Sequence, residues 1–277
     1  MPNIVAFIIN PAVDISTSVP VVQPAYKLRC EEVRRDPGGG GINVARVAMR
    51  LGADVLAVFT VGGPIGDHHK DLVKQEGIRS LTIPIRNDTR EDFSVVKTET
   101  GQQYRFVLPG PVLTETEWRA CLESLASFDA RSRFLVASGS LPPGVPDDFY
   151  ARLVTTMRAG DVKFIVDTSG PPLKRALETG VYLIKPNLRE MRELVGEAME
   201  SEVDCIVACR ALVDAGRAEV VALKHCGFLL LRYSPSQRAS ERCGVCFASS
   251  ASSRFCIVCR SVSLTEVSSK CRYRMMF

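Results

Sequence analysis

The sequence predicts an α/β protein: a mainly parallel sheet flanked by helices, with a small β lid and a C-terminal segment of different character. Three observations lead there. Apolar runs of strand length alternate with helix-length periodic segments from the N-terminus to about residue 223, the pattern of successive βαβ units. Two stretches, 13–35 and 80–108, break the alternation with β-branched residues in period two. Past Leu223 the composition changes: residues 224–277 hold nine Lys/Arg against two Asp/Glu, six of the ten cysteines and eleven serines. The expected organisation is one α/β domain over 1–223 and an atypical Ser/Cys/Arg-rich tail over 224–277 outside it.

The elements follow in order. Ile4 to Ile9 is a continuous apolar run, the mark of a strand buried on both faces. Ile42 to Leu51 reads as a largely buried helix closed by Gly52, Val55 to Val61 as the next strand, and Asp67 to Glu76 as a helix stopped by Gly77. Thr114 and Glu117 form a capping box that opens another helix. Strand Phe134 to Ala137, a helix after Pro146, strands Phe164 to Val166 and Tyr182 to Ile184, a helix at about 202–215 and strand Val220 to Leu223 complete the run. Within the lid segments, Phe93 to Thr98 and Gln103 to Val107 flank a turn at Gly101 and suggest a small antiparallel sheet, whose one apolar face must be buried against a lidded site or a second subunit.

Composition excludes several classes. The chain has 277 residues with 46% hydrophobic and 24% charged side chains, which rules out general disorder. No apolar run approaches the roughly 18 residues a membrane helix needs, and the N-terminus meets Asn10 and Pro11 too early for a signal peptide, so a cytoplasmic protein without a membrane partner is expected. The basic tail lacks clustered Lys/Arg with interleaved aromatics, which argues against a nucleic-acid partner. His68, His69 and His225 read as surface residues, Trp118 as packing, and Cys30, Cys121, Cys205 and Cys209 as reduced thiols.

Three places carry chemistry. Pro37-Gly38-Gly39-Gly40-Gly41-Ile42-Asn43 abuts the first good helix, so its backbone can approach a ligand closely and the helix N-terminus presents unpaired N–H groups to an oxygen-rich or anionic group. A G-x-G-x-x-G dinucleotide fingerprint is absent. Asp14 follows the first strand, at the carboxyl edge where open α/β sheets bind ligands, and can accept two hydroxyl hydrogen bonds from a sugar; a turn-capping Asp explains it as well. Lys185, Asn187 and Glu190 follow a later strand, with Asn187 and Glu190 on one helical face, suited to a hydrated Mg²⁺ beside nucleotide phosphates. A plain helix start accounts for the same residues.

The set NPAVD, PGGGGINVAR, QYRFVLPG, SGSLPPGV, IVDTSG and KPNLREM resembles the ribokinase-like (PfkB) carbohydrate kinases over essentially residues 1–223. The resemblance implies ATP-dependent phosphorylation of a sugar phosphate and a β lid that doubles as a homodimer clasp. By position, Asp14, Gly38, Gly39 and Asn43 would hold the sugar, with Ser140 lining the same pocket and Arg90 reaching the sugar's phosphate. Lys27, Lys185 and Asn187 would serve the ATP phosphates, and Asn187 and Glu190 the Mg²⁺. Gly40 stands where many related kinases carry Lys, which favours fructose 6-phosphate over fructose 1-phosphate and tagatose 6-phosphate.

One part of the family pattern is missing, and the resemblance therefore implies a ribokinase-like fold whose C-terminal part is incomplete. The catalytic base of such kinases is the Asp of a G-A-G-D motif, and this chain contains no G-A-G-D. Activity is therefore expected to be impaired, and a non-catalytic sugar-phosphate-binding or dimerising protein is the rival reading. In the tail, Cys243-x-x-Cys246 and Cys256-x-x-Cys259 have the form of a zinc site but with an unusually short separation, and out-of-frame sequence is the preferred explanation of the segment.

Overall fold

The computed structural model describes residues 2–126, 132–157, 161–225, 228–233 and 254–257. The chain divides into two compact units, Met1–Thr168 and Ser169–Phe277. Among the described residues no helix is long and apolar enough to cross a membrane.

The first unit is built on strand β1 (Ile4–Ile8), whose residues 5–8 are at most 1% exposed. Its two faces account for its unbroken apolar run. Ala6 and Ile8 join Ile42 and Ala45 of α1 (Gly40–Arg50), Phe59 of β4 (Val55–Val61) and Val73 of α2 (Gly63–Gln75) in one core. Phe7 points the other way and stacks on Phe149, at a centroid distance of 6.0 Å. Between β1 and β4 the chain makes β2 (Ala12–Val19) and β3 (Arg34–Gly38), and after α2 it makes β5 (Ser80–Pro84), β6 (Arg90–Lys97) and β7 (Gln102–Phe106). Helix α3 (Glu115–Ala126) starts at the expected capping box: the Thr114 N–H donates to Glu117 Oε2 at 2.7 Å and Glu117 N–H donates back to Thr114 Oγ1 at 3.4 Å. Trp118 is a packing residue, edge-on to Phe149. Strand β8 (Phe134–Ser138), helix α4 (Phe149–Thr156) and strand β9 (Lys163–Asp167) complete the unit, and its main strands lie in the order β9-β8-β1-β4-β5, all parallel.

The lid differs from the sequence reading in two ways. Ser80–Pro84, expected in the lid, is the edge strand β5 paired with β4, because period-two alternation cannot say which of two sheets a strand joins. The lid sheet proper has the order β3-β2-β6-β7 and is mixed: β2 pairs antiparallel with β3, β6 antiparallel with β7, but β2 runs parallel to β6. The cause is directional. β2 continues from β1 and β6 from β5, two strands that point the same way, so both enter the lid with the same sense.

The second unit contains α5 (Gly170–Glu178), β10 (Val181–Ile184), α6 (Leu188–Val195), α7 (Glu202–Asp214) and β11 (Ala218–His225). β10 and β11 are parallel. β11 pairs antiparallel with β12 (Phe228–Tyr233), which β13 (Arg254–Ile257) joins in parallel. Two pieces of the tail thus extend the sheet of this unit, whereas the sequence reading placed the whole of 224–277 outside the domain; a ladder needs only backbone N–H and C=O groups, which any non-Pro residue supplies. Cys243, Cys246 and Cys259 lie outside the described residues.

Candidate functional site

Asn10 and Pro11 carry the chain from β1 into the lid, and Asp14 is the third residue of β2. The register sets Asp14 opposite Asp36 on β3 and Asp92 on β6, so three carboxylates lie side by side across three strands. Like charges this close repel. The outer two are paired: Arg34 Nε lies 2.7 Å from Asp36 and Arg90 Nη1 3.3 Å from Asp92. Asp14, half-buried between them, has its carboxyl held above the ordinary aspartate range by burial and then by Asp92, against the lowering pull of Arg105 and Arg90. Asp14 and Asn43 line a cavity of about 420 Å³ together with Asp36, Asp92, Arg46 and Arg105.

The glycine run meets this group at two positions for different reasons. Gly38 packs directly on Asp14: a Cβ there would lie 2.5 Å from its carboxyl atoms. Gly39 has φ 118°, a conformation side chains rarely adopt, and it is the N-cap from which α1 starts. Asn43 donates its N–H to the Gly39 carbonyl at 3.1 Å and its side chain is exposed on the first turn. His69 supports the loop from behind. The sequence suggested a surface residue, but His69 shares the inward face of α2 with Gly66 and Val73 and is 0% exposed. Its Nε2 lies 3.1 Å from the Gly38 carbonyl, which can only accept, so Nε2 carries the proton. Burial pushes its pKa down to about 4.

Asn10 joins two further residues to the group. Its Nδ2 donates to Ser140 Oγ at 3.2 Å, and its carbonyl accepts from Arg90 Nη2 at 3.4 Å. Arg90 also donates to the Leu108 carbonyl at 3.0 Å, so it braces the root of the lid, and its Nε is buried without a partner. Lys27 lies in the exposed connection between β2 and β3.

In the second unit, Asn187 and Glu190 form a complete capping box. Glu190 N–H donates to Asn187 Oδ1 at 3.0 Å and Asn187 N–H to Glu190 Oε2 at 2.8 Å. The plain helix start is therefore real. It also orients both side chains at the carboxyl end of β10, and Asn187 Nδ2 and Glu190 Oε1 lie outside the box. Lys185 is exposed two residues before. A carboxylate oxygen at a strand end is the kind of hard donor that Mg²⁺ takes alongside water and phosphate oxygens.

Asn10, Asp36, Arg46, Asp92 and Arg105 were missed by the sequence reading. Asn10, Arg46 and Arg105 lay inside the stretches NPAVD, PGGGGINVAR and QYRFVLPG, but nothing in those stretches set them apart from their neighbours. Asp36 and Asp92 reach the site through strand register, which leaves no local mark.

Comparison with known proteins gives a consistent result. The family model described as pfkB family carbohydrate kinase matches residues 9–225. The protein named ATP-dependent 6-phosphofructokinase isozyme 2 in Mycobacterium tuberculosis is 46% identical over 242 residues, covering 87% of this chain and 71% of the relative. A protein named 1-phosphofructokinase in Xanthomonas campestris is 30% identical over 217 residues, 77% of this chain and 68% of the relative. Among solved structures, phosphofructokinase-2 from Escherichia coli in complex with fructose-6-phosphate superposes with a TM-score of 0.81 at 35% identity, over 85% of this chain and 78% of that one.

Proposed function

The chain belongs to the pfkB family of carbohydrate kinases and has its ribokinase-like fold, and from that premise we propose that its first unit is a binding site for a phosphorylated ketohexose, fructose 6-phosphate before its isomers. The observation that carries this reading is the cavity on which Asp14 and Asn43 converge with Arg105. An ionised Asp14 only accepts and so takes hydroxyl hydrogens from the sugar. Arg105, exposed on the lid, offers a guanidinium to a phosphate dianion. Gly38 and Gly39 let the backbone close on the sugar, while Ser140 and Arg90, joined through Asn10, hold the lid root and the loop after β8 in one arrangement.

ATP is the phosphoryl donor this family implies, and Mg²⁺ its companion ion. Lys185, Asn187 and Glu190 are the residues of the second unit that would meet them, with Lys185 neutralising phosphate charge and Glu190 Oε1 supplying an oxygen ligand; a bound Mg²⁺ spreads the negative charge that develops on the transferring group. The lid's outer apolar face supports a homodimer, the second part of the proposal. Lacking a G-A-G-D sequence, the chain is proposed to bind sugar phosphate far better than it phosphorylates it.

Calorimetric titration of the purified chain with fructose 6-phosphate, fructose 1-phosphate and tagatose 6-phosphate tests the substrate. Tightest binding of fructose 6-phosphate, lost on Asp14→Ala, is expected. Tighter binding of fructose 1-phosphate overturns the choice of isomer, and binding indifferent to Asp14→Ala overturns the site.

A further inference from the structure

Helix α1 carries Asn43 on its exposed first turn and Arg46 three residues on, with the Arg46 side chain only 17% exposed. The guanidinium is used on all three sides. Nε lies 2.5 Å and Nη2 2.8 Å from the two carboxylate oxygens of Glu76, at the C-cap of α2, a bidentate pair in which the planar fork is fixed by both oxygens at once. Nη2 also donates to the Pro37 carbonyl at 3.0 Å, the carbonyl immediately ahead of Gly38. Nη1 donates to Asn43 Oδ1.

That last contact has a directional consequence. An asparagine amide offers an acceptor on one side and two donors on the other, and a half-turn exchanges them. Arginine has donors only. A guanidinium anchored by Glu76 therefore accepts one orientation of Asn43, the one with Oδ1 toward Arg46, and turns the NH₂ group outward. Asp14, across the cavity lining, is an acceptor when ionised. The two side chains then present opposite polarity to a ligand, Asp14 taking hydroxyl hydrogens and Asn43 giving hydrogens to oxygen lone pairs.

We propose that Arg46, held by Glu76, is a positioning residue that fixes Asn43 with its NH₂ toward the ligand and makes it an obligate donor to a sugar oxygen. The proposal deepens the sugar-phosphate reading above and rests on it. The test is a double-mutant cycle on the full chain with fructose 6-phosphate as the titrant. Arg46→Met should weaken binding about tenfold in the parent and less than about twofold in an Asn43→Ala background, the non-additivity expected of residues acting through one another. Asn43→Asp, which keeps a partner for Arg46 but has no hydrogens to give, should bind as poorly as Asn43→Ala while unfolding no earlier than the parent. Should Arg46→Met fail to fold, Glu76→Gln replaces it in the cycle, with a smaller loss and the same non-additivity. Equal penalties in both backgrounds, or Asn43→Asp that binds like the parent, overturn the proposal. If the parent binds no sugar phosphate, the site reading fails separately, and the side-chain amide resonances of Asn43 in ¹⁵N-labelled unliganded protein still decide: Arg46→Met, or Glu76→Gln in its place, must move the pair to the position of a solvated asparagine, and an unmoved pair overturns the proposal.

Discussion

Asp14 is a residue whose usefulness and stability pull in opposite directions. Its folded-state pKa is raised above the value of 3.8 that an unfolded chain shows. Between those two values the native state binds more protons than the unfolded one, so stability falls as pH rises through that window and the charged carboxylate is a cost at neutral pH. Asp14→Asn should therefore unfold at or above the parental Tm at pH 7, with the advantage disappearing as pH falls below about 4, while sugar-phosphate binding drops by roughly 1.5–3 kcal/mol, the worth of hydrogen bonds to a charged group. Thermal melts across pH beside titrations at pH 7 check both signs. Gly38→Ala tests the same carboxylate sterically. Its φ is outside the strained region, so the damage comes from the added Cβ against Asp14, and binding should fall about as far as in Asp14→Asn. Parental binding by Gly38→Ala would show that Asp14 has room to move. Gly40 has a structural reason of its own to lack a side chain, since a Cβ there would overlap Ser138 Oγ.

At the scale of elements, α2 and the lid each make a measurable claim. α2 reaches the glycine loop through His69, buried neutral with its pKa pushed down to about 4 from 6.5. A lowered pKa in the folded state means the unfolded chain takes up the proton first, so stability is fully present above pH about 6.5 and is lost as pH falls toward 4. Each tenfold drop in proton affinity on folding is worth about 1.36 kcal/mol, which makes the loss on the order of 3 kcal/mol at the acid end. His69→Gln, which can still donate to the Gly38 carbonyl, should melt with a flatter dependence between pH 6.5 and 4; an unchanged slope would mean that the imidazole is not the titrating group. The lid claim concerns its two faces. Alternation on β6 and β7 puts Asp92, Ser94 and Arg105 on one face and Phe93, Val95, Tyr104 and Phe106 on the other, with Phe93 opposite Phe106 and Val95 opposite Tyr104. Phe93 and Tyr104 are each 39% exposed and Phe106 56%. A cross-strand aromatic patch this open is what a second copy would cover. Phe106→Glu should shift the chain from dimer to monomer in sedimentation at micromolar concentration. A parent that sediments as a monomer would count against the lid clasp.

For the whole molecule the decisive quantity is turnover. The general base typically contributes about 10²- to 10⁴-fold, and an oxyanion-type donor contributes about 10²- to 10³-fold. With no G-A-G-D sequence in the chain, Mg-ATP-dependent phosphorylation of fructose 6-phosphate should lie at background in a coupled ADP-release assay, and a graft carrying G-A-G-D after β11 should raise it. Robust turnover by the ungrafted protein that Asp14→Ala abolishes would mean another residue supplies the base. Background turnover even in the graft would favour a sugar-phosphate-binding role.

The amino-acid sequence by itself determined the parallel βαβ architecture, because continuous apolar strands such as Ile4–Ile8 and the helix signals at Thr114, Gly52 and Gly77 are local. It also showed Asp14, the glycine run and Asn43 as a candidate site, since strand ends and glycines before a helix are written in adjacent residues. Tertiary structure alone decided what pairs across distance. The row Asp36-Asp14-Asp92 exists only once three strands are in register, Ser80–Pro84 joined the main sheet by pairing with β4, and His69 went inside because α2 turned that face to the core. Arg46 reached Glu76, thirty residues on, because α1 and α2 contribute to one core with β1 and β4. Strand register and tertiary packing are free energies of the assembled chain, which is why no window of sequence announced these pairings, even where it held one of the partners.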